Sequence, residues 1–218
     1  MTSTIDLRPR MSPVGDQGMR PTCVAFALSA CHEFVNEQVS KELSKDSIHW
    51  GCVCRDGSAM DGVSITTAIR VLAEEGQYLE EDWPYRANLD ETTWESLQPP
   101  KLDGKPMFTI ARGISMKISD PNALGDVLRV TGPLCAIVPI WESFFITQNG
   151  HMSMPKIDIE EFRGFHAVCV VGLTSEWDVV IRNSWGPKWG DSGHAVMPFK
   201  YLEKYASNVY ILVPLGAK

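Results

Sequence analysis

At 218 residues, 44% hydrophobic and 22% charged, the chain has the make-up of an ordinary soluble globular protein with enough apolar mass for a sizeable core. Its net charge of −7 argues against nucleic acid or an anionic membrane as the main partner. No run approaches the roughly eighteen apolar residues of a membrane-spanning helix, and 1–13 lacks the apolar core and cleavage site of a secretory signal.

In chain order, the first informative stretch is Gln17-Gly18-Met19-Arg20-Pro21-Thr22-Cys23-Val24-Ala25-Phe26. Cys23 opens a run with Val24, Ala27, Leu28, Cys31, Phe34 and Val35 at helical spacing. Pro21 and Thr22 stand where a helix start tolerates a fixed φ and favours a side-chain cap. Cys23 is therefore expected in the first turn, where unpaired N–H groups and the helix dipole favour a thiolate. That suits a nucleophile. A small apolar residue packed in a core helix fits this stretch equally well.

The helix is expected to run past Val35 toward Lys41-Glu42, with a polar, cysteine-containing stretch over 44–61. His49-x-x-Cys52-x-Cys54 has the look of half a zinc site, but no second cluster completes four ligands. No metal and no cofactor are expected. Asp61-Gly62-Val63-Ser64 opens a second helix with Ile65, Ala68, Ile69 and Leu72 on one face and Gly76 at its end. The Pro-, Asp- and Thr-rich stretch 89–105 reads as a boundary, giving a helical lobe over about 11–98 and a sheet lobe over about 105–218. Strands are expected at 107–118, 134–140, 166–173, 177–182, 193–197 and 209–213, with one helix over 122–130. Cys31, Cys135 and Cys169 fall in apolar runs and read as reduced core residues. The connection 142–163 is long enough to be functional, and it makes a candidate gate or docking place for a regulatory partner.

Two late stretches decide between the readings of Cys23. Phe165-His166-Ala167-Val168 places a histidine at the head of a β-branched run, and Asn183-Ser184-Trp185-Gly186 follows the run Val179-Val180-Ile181. Cysteine, histidine and asparagine supply a nucleophile, its base and an orienter of that base.

These motifs, in this order and over nearly the whole chain, resemble the papain-like cysteine proteases, here as a bacterial-type member without a visible propeptide. Asp6-Leu7-Arg8-Pro9 and Val14-Gly15-Asp16-Gln17 look like the start of that family's mature domain. The resemblance implies an α+β, two-lobed fold, a helical lobe against an antiparallel, barrel-like one, with the site in the cleft between them. It implies Cys23 as thiolate nucleophile, His166 as its imidazolium partner, Asn183 as orienter, and Gln17 with the Cys23 amide as oxyanion hole. It also implies Gly62 as a rail for the substrate backbone, and Trp185 lining the site and shielding the His–Asn bond. Two departures stand out. Val24 occupies a position where well-known members have tryptophan. Arg20 occupies a position where secreted members have a disulfide-bonded cysteine, which points to a reducing, cytoplasmic setting.

The expected activity is endopeptidase cleavage of peptide or protein substrates through a thioester. Two alternatives are the same acyl chemistry directed to transfer, isopeptide cleavage or peptide maturation, and a catalytically silent binding module.

Overall fold

The computed structural model describes residues 5–36, 41–57, 62–90 and 94–216. Its centre is one antiparallel sheet of 7 strands. They are β1 (Ile5–Asp6), β2 (Ile110–Met116), β3 (Leu134–Trp141), β4 (Phe162–Leu173), β5 (Val179–Arg182), β6 (His194–Met197) and β7 (Val209–Pro214). The order is β2-β7-β3-β4-β5-β6, with β1 paired to β4. From His166 to Leu173 every residue of β4 is buried, because helices or strands cover both of its faces. Its side chains alternate between two cores: Val168 and Val170 lie in one, Ala167, Cys169 and Val171 in the other.

The first core is closed by α5 (Pro121–Thr131) and α6 (Phe199–Tyr205), through Leu124, Leu128 and Tyr201. The second is closed by α1 (Cys23–Val35), α2 (Lys45–Asp56) and α3 (Ile65–Glu74). A short α4 (Trp94–Leu97) interrupts the expected loop. Helix α1 is buried all round from Val24 to His32, as a helix without a polar face must be. Its two interior polar side chains, Ser29 and His32, share one partner. Gln77 donates to Ser29 Oγ at 2.6 Å and accepts from His32 Nδ1 at 2.9 Å.

The structure corrects the sequence reading at several places. Helix α1 stops at Val35 because Asn36 is extended, and Leu43 then bonds to Glu33 Oε1 at 2.7 Å as the chain turns back; residues 37–40 lie outside the described residues. The polar stretch 44–61 is largely a helix, capped by Ser44 accepting from the Ser47 amide and ended by Gly57 at φ 75. Buried Lys45 and Asp46 had masked its apolar face, Ile48, Cys52 and Val53. Cys52 and Cys54 are therefore on a helix, one buried and one exposed. Strand β2 is shorter than 107–118, and β1 and α6 were not foreseen. Helix α3 is where it was expected, although Asp61 lies outside the described residues.

Where a disulfide would tie the loop ahead of α1, a buried ion pair does so. Arg20 Nη1 meets Asp46 Oδ1 at 2.5 Å, with both side chains almost fully buried. Arg86 Nε reaches Asp46 Oδ2 at 2.9 Å, and Arg20 also donates to the Arg86 carbonyl at 3.1 Å. Removing the carboxylate leaves a buried guanidinium without its counter-ion. Asp46→Ala is expected to cost about 3–5 kcal/mol of unfolding free energy in urea; a loss under about 1 kcal/mol would mean that the pair does not hold this loop.

Candidate active site

Cys23 is the first residue of α1 and is still partly exposed. Thr22 precedes it but makes no side-chain cap. Its hydroxyl turns away and donates to Tyr85 Oη at 2.7 Å, while Tyr85 donates to the Gln17 carbonyl at 2.8 Å. The helix amides are thus left to the sulfur. The backbone N–H groups near it, those of Ala167, Val24 and Cys23, pull the thiol pKa down. Val24, Ala27 and Cys31 of α1 share a core with Ala167 and Cys169, which sets this helix against the strand that carries His166.

His166 begins the buried part of β4. Its Nε2 lies 2.7 Å from Asn183 Oδ1, and the same oxygen accepts the Ser184 amide at 2.8 Å. The second bond identifies that atom as the acceptor, so His166 donates from Nε2. The neutral ring then carries its lone pair on Nδ1. Trp185 covers the imidazole, with ring centroids 4.8 Å apart, and Phe144 packs edge-on against it at 5.8 Å. Phe145 stacks on Trp185 at 5.0 Å with planes 6° apart. These rings keep water from the His–Asn bond.

Gln17 is buried and held at both ends of its amide. Its Oε1 accepts from Ser184 Oγ at 2.5 Å and its Nε2 donates to the Arg20 carbonyl at 2.8 Å. One Nε2 hydrogen remains for a ligand. Gly62 lies beside the approach to α1. Its φ is +83, and a Cβ there would stand 3.3 Å from the Pro21 carbonyl oxygen, so only glycine fits without strain.

Five of the six residues singled out from sequence lie around the start of α1, the head of β4 and the turn after β5, and the sixth, Gly62, precedes α3 and faces Pro21. Sequence reasoning missed the supports of Gln17, namely Ser184 and Tyr85, and the wall residue Phe144. Ser184 stood inside a recognised motif. Tyr85 and Phe144 carried no local signal, because each acts across a long sequence separation. His151 pairs with Gln148 and Val196 in the connection after β3.

The sequence profile of the papain family cysteine proteases matches residues 1–209. The chain belongs to that family. This papain-family chain is 40% identical over 220 residues to an uncharacterized peptidase C1-like protein of Acanthamoeba polyphaga mimivirus, covering 90% of itself and 68% of that protein. It is 29% identical over 216 residues to a cathepsin L-like peptidase of Aedes aegypti, covering 89% of itself and spanning only 58% of that relative. Among solved structures it is similar to xylellain, a cysteine protease from Xylella fastidiosa. That likeness has a TM-score of 0.82 at 24% identity, covering 97% of this chain and 86% of the other. The fold is the papain-like α+β fold read from the sequence.

Burial acts against the thiolate and imidazolium expected of Cys23 and His166. Burial pushes the Cys23 thiol up, against the pull of its three amide N–H donors. Burial likewise pushes His166 down to about 4, only partly offset by the bond to Asn183. Both forces favour the neutral pair, a reserve that sequence spacing does not display.

The histidine also makes stability depend on pH. An unfolded imidazole takes up its proton near 6.5, but folded His166 does so only near 4. Between those values the unfolded state binds more protons. The stability that neutral His166 confers is therefore complete above about pH 6.5 and is lost as acid approaches 4, by about 3 kcal/mol in all. Buried His32 and His194 are shifted in the same direction. The measurement is thus the difference between the wild type and His166→Gln in unfolding free energy at pH 7 and pH 4.5. The variant is expected to lose less on acidification; equal losses would contradict the shift.

Proposed function

We propose that this chain is a cysteine peptidase that hydrolyses peptide bonds through a thioester, with Cys23 as nucleophile, His166 as base and acid, and Asn183 as orienter of the imidazole. The observation that carries the reading is the bond from His166 Nε2 to an Asn183 oxygen independently identified by the Ser184 amide. It leaves Nδ1 as the proton acceptor of the ring.

In the first step Nδ1 takes the thiol proton while the sulfur adds to the scissile carbonyl carbon. The charge that develops on the carbonyl oxygen is met by the free Gln17 Nε2 hydrogen and the Cys23 amide. His166 returns the proton to the leaving amine, and the thioester remains. Water then loses a proton to His166, attacks the thioester and releases the acid. A neutral asparagine suits this cycle, since a carboxylate there would compete for the imidazolium at the moment the thiolate needs it. Gly62 lets a substrate backbone come close beside Pro21, and Trp185 lines the leaving-group side. Peptides and proteins are the substrates on this reading.

The reading extends to a reducing, cytoplasmic setting, supported by the Arg20–Asp46 pair in place of a covalent tie. It gives a regulatory or inhibitory protein a place to dock on the exposed Ile159, Phe162 and Phe165 ahead of His166. A swinging gate over 142–163 has less support. Phe144 is buried in the wall, and Met152 and Gly150 are bonded to Val196 of β6.

A fluorogenic peptide panel tests the assignment. Cys23→Ala is expected to abolish turnover. Gln17→Ala is expected to lower kcat by about 100- to 1,000-fold with KM little changed, because the oxyanion exists mainly in the transition state. A loss below tenfold would assign the hole to other groups. Added amines should not divert the product from the free acid; a product captured by amine would instead favour acyl transfer.

A further inference from the structure

Behind the reacting groups, α1 and β4 meet through two sulfurs that the peptidase reading does not use. Cys31 Sγ and Cys169 Sγ are 3.6 Å apart, and the two residues are 0% and 1% exposed. Cys31 lies about two turns along α1 from Cys23, and Cys169 lies three positions beyond His166 on β4. The contact therefore joins the two elements that carry the nucleophile and its base, between residues separated by 138 positions in sequence.

A cavity of about 10 Å³ opens beside Cys169, with Ala27, Ala30, Glu33, Lys45 and Arg182 among its walls. It has room for about one water-sized molecule, and its charged walls suit a polar one. A bulky disulfide oxidant cannot enter. Hydrogen peroxide, small and neutral, needs only a slight widening.

We propose that Cys31 and Cys169 are an oxidation site at which hydrogen peroxide installs a disulfide between α1 and β4. The Cys169 sulfur attacks one peroxide oxygen and the O–O bond breaks, giving a sulfenic acid and one water. The Cys31 sulfur then displaces the hydroxyl group, which leaves with the second thiol proton as another water. Two electrons pass from the two thiols to the peroxide, and no other reactant is needed. The sulfurs must close from 3.6 Å to about 2.05 Å, a small movement for a helix packed on a strand. Burial pushes the Cys31 thiol well up, so the reaction is slow beside oxidation of exposed Cys54. The bond, once made, pins the helix of Cys23 to the strand of His166. This inference stands apart from the peptidase reading, since neither sulfur touches the reacting atoms.

Cys135 is the internal competitor, because it faces Cys169 across the β3–β4 ladder. The test uses the Cys23→Ala chain, so that oxidation of the nucleophile does not intrude. After prolonged exposure to hydrogen peroxide and removal of excess with catalase, the protein is unfolded, alkylated and digested without reductant for mass spectrometry. The expected product is the Cys31 peptide joined to the Cys169 peptide, about 2 Da below their summed masses. The oxidised protein should also melt at least about 5 °C higher. Adding Cys31→Ser should remove both signals. Peptide mapping of the Cys23→Ala chain decides by itself if the double variant does not fold. Full alkylation of Cys31 and Cys169, a Cys135–Cys169 bond, or a sulfinic acid at Cys169 without a cross-link would each overturn the proposal.

Discussion

The packing of α1 against β4 is the constraint on which the site depends. A helix buried on every side from Val24 to His32 has no face left to slide along, and interiors packed at crystal-like density transmit displacement. Its first turn is thereby fixed against the one place where β4 emerges from the core. The core that Ala167 and Cys169 of β4 share with Val24, Ala27 and Cys31 of α1 is the local expression of that fit. The polar groups that such a helix takes inside are met by Gln77, itself held by the Gln77–Phe108 bridge. An unpaired Ser29 or His32 would have cost much of what the packing provides.

The same exclusion of water acts on the chemistry in two directions. It raises the thiol pKa and lowers that of the imidazole, which works against a standing charge pair. It also strengthens every dipole aimed at the site. The groups that assist the reaction in the proposed mechanism are accordingly uncharged: amide N–H groups at the helix start, the Gln17 side chain and the Asn183 oxygen. None has to reorganise when charge appears on sulfur, imidazole or substrate oxygen.

Positioning of Gln17 shows how polar contacts replace a covalent tie. Tyr85 holds its carbonyl, Arg20 and Ser184 hold its amide, and Arg20 is anchored by Asp46. The Arg20 guanidinium also lies over the Tyr85 ring at 4.7 Å, adding a cation–π contact. A buried ion pair contributes less to stability than a hydrophobic replacement often would, but it is directional. Here that direction is spent on the loop between Gln17 and Cys23.

The sequence by itself was enough for the α+β architecture, for most strands, and for α1, α3 and α5. Strands of β-branched residues and amphipathic helices are written at short range, and Cys23, His166 and Asn183 each sat in a recognisable motif. It hid α2, because buried Lys45 and Asp46 broke the apolar pattern that marks a helix face. It hid Tyr85, Phe144 and the Cys31–Cys169 contact, because strand register and helix packing bring those residues together across long stretches of chain. It also left out the burial that acts against charge on Cys23 and His166. Residue type and spacing set which groups are present, but desolvation sets their protonation, and desolvation exists only once the surrounding core has closed.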